Sequence, residues 1–103
     1  PPGDQILPDP GTMTDYRGDT GQVVKFRVIG NANGSVFGDG IYTDDTRIAT
    51  AAVHAGVLRD GQEGVVAVEV LPGQDSYRAA TRNGVTSADY GAWAGSYEFV
   101  TAN

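Results

Sequence analysis

Apolar and polar positions alternate in three stretches of the chain, and each stretch predicts a strand. In GQVVKFRVIG, Val24, Phe26 and Val28 fall on one side and Lys25 and Arg27 on the other, which predicts a half-buried strand over residues 22–29. In EGVVAVEVLPG, Val66, Val68 and Val70 alternate with Val65, Ala67, Glu69 and Leu71, predicting a strand over residues 65–71. GSYEFVTA alternates Tyr97 and Phe99 with Ser96 and Glu98, predicting a third over residues 96–101. The glycine-dense GNANGSVFGDG reads as a turn, with Val36 and Phe37 supplying one very short strand.

The period changes in YTDDTRIATAAVHAG. Ile48, Ala51, Ala52 and Ala55 recur at i, i+3, i+4 and i+7, one face of an α-helix over about residues 45–55. Asp44 or Asp45 stands where an N-cap carboxylate accepts free backbone N–H groups, and Gly56 stands where helices end at positive φ. With so many small side chains, the helix is expected to be central and largely buried. The predicted class is α+β: short, antiparallel strands around one helix.

Residues 1–21 are read as an extended, Pro/Gly-rich N-terminal arm and residues 22–103 as one domain. Residues 1–11 hold four of the five prolines, which cannot donate a regular hydrogen-bond ladder. Within the arm, Ile6 and Leu7 form an isolated apolar pair, read either as an anchor onto this domain or a partner or as two aliphatics in a loose terminus. The chain starts Pro1-Pro2 instead of Met, for which a removed signal peptide is the preferred explanation.

Charge narrows the partners. Thirteen acidic against seven basic residues give −6, which opposes binding to phosphate backbones, so nucleic acid is not an expected partner. No run of 18 apolar residues is present, so no spanning helix is expected. The absence of cysteine removes disulfide and thiolate chemistry.

Candidate chemistry is thin. His54 is the only histidine; if the helix runs as predicted, Asp44 lies at its other end, roughly 15 Å away, and the two cannot form one catalytic pair. None of the four serines lies in a G-x-S-x-G elbow, so no catalytic residues are assigned. One histidine without cysteine does not make a zinc site, and Asp39, Asp44 and Asp45 lack the EF-hand spacing, so neither metal nor cofactor is expected. Asp45, His54 and Gly56 are read as structural. The most ligand-like group is Tyr77, Tyr90, Trp93 and Tyr97 near Arg78, Arg82 and Asn83, because aromatic faces beside guanidinium and amide donors suit sugars or headgroups. Tyr77 and Trp93 are read as core; Tyr90, Arg82 and Asn83 are the ligand-binding candidates.

The order of three blocks, YTDDTRIATAAVHAGVL, GVVAVEVLPGQDSYRAATRNGVTS and WAGSYEF, resembles the LCCL domain over about residues 24–100. The resemblance implies a central helix wrapped by β-strands, and a module of secreted or surface proteins linked to lipopolysaccharide and other microbial or carbohydrate surfaces, with no established enzyme activity. Animal members carry disulfides, including a cysteine after the isoleucine of the helix; here Ala49 follows Ile48. The chain is therefore read as a cysteine-free, bacterial-type LCCL domain. The expected function is a non-catalytic extracytoplasmic binding module, periplasmic, surface-bound or secreted, whose partner is a glycan, a lipid headgroup or another protein. The alternative is a structural accessory subunit of an extracytoplasmic or membrane-associated assembly.

Overall fold

The computed structural model describes residues 5–101. Strands β1 (Ile6–Pro8), β2 (Val23–Ile29), β3 (Gly38–Asp39), β4 (Ile41–Thr43), β5 (Glu63–Gln74) and β8 (Trp93–Val100) form one sheet in the order β1-β2-β5-β8-β4-β3. Strands β6 (Thr81–Arg82) and β7 (Val85–Thr86) form a separate two-stranded ribbon, and one helix, α1, spans Ile48–His54. The alternation read in the sequence is the alternation of the sheet. Val24, Phe26 and Val28 of β2 and Val66, Val68 and Val70 of β5 turn inward and are buried with Tyr42 and Tyr97.

All seven residues of α1 are buried, but strands do not wrap it, contrary to the expectation. The six-stranded sheet is a single layer on one side of the shared core. Elsewhere the helix is closed by loop backbone and by the ribbon: Asn31 N–H donates to the Ala49 carbonyl, Gly34 N–H to Thr50 Oγ1, and His54 reaches Ala80. The sheet is also mixed instead of antiparallel, because β1 runs parallel to β2 with Ile6 opposite Lys25 and Leu7 opposite Phe26.

The helix starts three residues later than the sequence predicts, and neither aspartate caps it. Arg47 is the N-cap residue, at φ −63° and ψ 123°, and no side chain caps the end. The Ile48 N–H instead donates to the Gly11 carbonyl and the Arg47 N–H to the Ser35 carbonyl, so distant backbone does what a cap carboxylate would. Asp45 is held by the Thr43 hydroxyl. At the other end Gly56 sits at φ +79°; its N–H meets the Val53 carbonyl and the Val57 N–H meets that of Ala52, a Schellman closure.

Candidate functional site

At one end of the sheet, three aromatic rings form a row. Phe37 bridges to Ala88 just before β3, Tyr90 bridges to Tyr77, and Trp93 opens β8. These backbone pairings set the Phe37 and Tyr90 ring centroids 5.5 Å apart and those of Tyr90 and Trp93 5.3 Å apart, both edge to face. Tyr90 is 40% exposed. Trp93, expected in the core, is only half-buried: its indole N–H donates to Asp44 at 2.7 Å, and the Arg17 guanidinium lies 5.4 Å from its ring centre. Tyr77 is buried, with its hydroxyl accepting from the Gln74 N–H and bonded to Ser96 Oγ.

Beside this row runs an open, polar groove of about 400 Å³ lined by Asp39, Ile41, Gln74, Ser76, Tyr77, Arg78 and Asp89. Across Asp39 lies a second hollow of about 230 Å³, lined by Asp39, Gly40, Tyr42, Ala55 and Arg82. Arg82 grips Asp39 through two bonds of 2.6 and 3.0 Å. The hydrogen bonding from Arg82, aided by its charge, outweighs desolvation and holds the Asp39 carboxyl below the usual carboxylate range. Asp89 is fixed by the Ala79 N–H at 2.6 Å, while Arg78 is exposed and forms no ion pair among the described residues. A guanidinium, a side-chain amide, carboxylates and the edge of Tyr77 thus border one concavity, a combination suited to hydroxyl-rich ligands, and the aromatic row stands next to it through the Tyr77–Tyr90 bridge.

The three ligand candidates from the sequence have separate surroundings. Tyr90 is in the aromatic row and Arg82 is on the hollow beyond Asp39. Asn83 has φ 55° and is followed by Gly84 at φ 81°, the two-residue turn joining β6 to β7. Its side-chain amide donates to the His54 carbonyl at 2.9 Å, tying that turn to the end of α1. The Asn-Gly dipeptide is itself a hairpin signal, overlooked when Asn83 is read as a ligand donor.

His54 is fully buried. Its Nε2 lies 2.9 Å from the Ala80 carbonyl and its Nδ1 2.9 Å from the Tyr42 hydroxyl. The three aspartates considered for calcium are engaged separately: Asp39 with Arg82, Asp44 with Arg17 and Trp93, and Asp45 with Thr43. The Arg17–Asp44–Trp93 cluster has no local signature, since its members are brought from three distant segments. Ile6 and Leu7 lie in β1, with Ile6 45% exposed and Leu7 packed against the core.

A family model for the LCCL domain matches residues 9–97, well over half of the chain. The chain belongs to the LCCL family. This LCCL domain is 36% identical over 62 residues to vitrin of Mus musculus, covering 60% of the chain and 9% of vitrin. It is 38% identical over 63 residues to cochlin of Cavia porcellus, covering 61% of the chain and 11% of cochlin. A third relative, the cysteine-rich secretory protein LCCL domain-containing 2 of Homo sapiens, is 41% identical over 56 residues, covering 54% of the chain and 11% of that protein. The LCCL domain thus spans about a tenth of the length of these relatives. No helix among its described residues is long and apolar enough to cross a membrane.

Proposed function

We propose that this LCCL domain is a non-catalytic binding module that works outside the cytoplasm and takes a surface glycan along the Phe37–Tyr90–Trp93 row and the adjoining groove. The observation that carries the reading is the half-open aromatic row beside a concavity bordered by Arg78, Gln74 and Asp89. Sugar rings offer C–H faces to aromatic groups and hydroxyls to amides, carboxylates and guanidinium groups. An extracytoplasmic setting draws support from the relative whose name describes a secretory protein. Arg82, through its hold on Asp39, shapes the far wall.

The test is retention on arrays of microbial surface glycans, comparing the wild type with Tyr90→Ala and Arg82→Ala after confirming equal folding. Selective retention that falls by about tenfold or more in Tyr90→Ala supports the reading. Blank arrays, with headgroup-selective vesicle binding or a stoichiometric protein complex insensitive to Tyr90→Ala, overturn it. A structural accessory subunit is the second reading, favoured by β1, which puts the exposed Ile6 on an edge strand where a partner has access.

A further inference from the structure

The inner face of the sheet carries the core, while its outer face over β1, β2 and β5 is half-open except at the buried Ala67. On that outer face Ile6, Val23 and Ile29 are 45%, 40% and 58% exposed, and Val65 is half-buried. The register sets the charges in two groups, apart from Glu63, which stands opposite Ile29 and lies 3.5 Å from Arg27 in an exposed ion pair. Lys25 and Arg27 stand two residues apart on β2, whereas Glu69 of β5 and Glu98 of β8 are direct cross-strand partners.

Two carboxylates directly opposite one another destabilise a sheet unless a cation serves them. No cation lies within ion-pair distance of Glu69 or Glu98 among the described residues, and no carboxylate lies that close to Lys25. Between the two groups lies Ala67, cross-strand partner of both Lys25 and Val100. Outside the Arg27–Glu63 pair the face is therefore a charge dipole, with the buried Ala67 in its middle. A twofold axis lying in the plane of contact, between the groups, places the basic pair of one copy over the acidic pair of the other, twice. That is the self-complementarity an isologous interface requires.

We propose that this outer face is a self-association surface whose occupant is a second copy of this chain, packed sheet to sheet. Glu69 and Glu98 receive Lys25 and Arg27 of the second copy, and Ile6, Val23 and Val65 close the apolar centre. Strands about 4.8 Å apart, with β2 and β5 running about 23 Å and β1 and the end of β8 about 10 Å each, give on the order of 300 Å² per copy. That is smaller than a stable specific interface, so the dimer is transient and forms only at high local concentration, as on a crowded surface. The surface is separate from the aromatic row and independent of the glycan reading.

Sedimentation equilibrium from about 10 µM to about 1 mM, the range a small interface implies, tests the proposal. A monomer–dimer equilibrium weakened by added salt is expected. The Lys25→Glu/Arg27→Glu and Glu69→Lys/Glu98→Lys variants should each be monomeric, and an equimolar mixture of the two should form a heterodimer. Wild type that stays monomeric, association unchanged in both variants, or a mixture that fails to pair overturns the proposal. Should a doubly reversed variant misfold, Ile6→Lys and Val23→Lys, both at exposed positions, serve instead and are expected to weaken the dimer at least tenfold; undiminished association in both overturns it.

Discussion

Arg17 and Asp44 meet in a two-point ion pair, with N–O distances of 2.7 and 2.8 Å, although 27 residues separate them. Asp44 is 2% exposed and also accepts the Trp93 indole N–H. One carboxylate therefore fastens the N-terminal segment, the entry to α1 and the start of β8 together. Gly95 is needed beside it, because a Cβ there would run into the Asp44 carboxylate.

Asp44→Ala should lower stability by about 3 kcal/mol, because it leaves the Trp93 donor and the Arg17 guanidinium without their acceptor. In a domain of this size that is a fall in Tm of at least about 12 °C. Gly95→Ala should act in the same direction by displacing the same carboxylate. Thermal unfolding followed by circular dichroism checks both, and a Tm within 2–3 °C of wild type would refute the role given to Asp44.

Acid should expose the same contact. Burial pushes the Asp44 carboxyl up, but the hydrogen bonds from Arg17 and Trp93 and the charge of Arg17 outweigh it, leaving the folded-state pKa below the ordinary 3.8. A depressed carboxylate pKa stabilises the fold above the unfolded value, and the contribution is lost as pH falls through the folded one. Wild-type stability should thus decline below about pH 4, and Asp44→Asn should show a shallower decline there. Asp39 shares the direction of shift but is paired at the surface, where solvent screens it. Denaturant midpoints measured from pH 7 to pH 2.5 give the comparison.

His54 should behave as a structural residue. The Ala80 carbonyl can only accept, so Nε2 carries the hydrogen, and Nδ1 accepts from Tyr42 in the neutral ring. Nitrogen NMR shifts should report the Nε2–H tautomer. His54→Ala removes a fully buried ring and strands two partners, at a cost of about 2–4 kcal/mol. Ligand retention by the variant, measured below its lowered Tm, should stay within twofold of wild type.

Asn83 and Tyr90 should separate cleanly. Asn83→Ala puts a non-glycine residue without a local hydrogen bond at φ 55° and removes the amide from the His54 carbonyl, which should cost about 1–2 kcal/mol. Asn83→Gly should recover part of that loss by relieving the backbone. Tyr90→Ala should change Tm by only a few degrees while altering binding at the aromatic row. A stable Asn83→Ala variant that has lost glycan retention would transfer the binding role to Asn83.

Much of the fold is legible in the sequence because it is written as local period. Alternation of two marks β2, the middle of β5 and most of β8, and the i, i+3, i+4 spacing of Ile48, Ala51 and Ala52 marks α1. The reading stops short where local signals mislead. The predicted strand stops at residue 71, yet β5 continues to Gln74, since Pro72 faces Gly95 and a glycine at 73 lets the backbone of Trp93 and Ala94 come close. Asp44 and Asp45 look like caps, but the Gly11 and Ser35 carbonyls already serve the start of the helix.

The candidate site was legible only in its parts. The aromatic and basic residues at 77–97 stand out by type, but the sequence gives no means of telling that Trp93 faces Arg17 or that Arg82 is spent on Asp39, 43 residues away. The sequence by itself determined the strand and helix periods and, through three ordered blocks, the LCCL family. Tertiary structure decided the parallel docking of β1, the placing of α1 on one side of a single sheet, and the partner of every buried charge. The physical reason is range: side-chain period and turn geometry are set by neighbours along the chain, whereas an ion pair or an aromatic row depends on which distant segments the sheet order brings within a few ångströms.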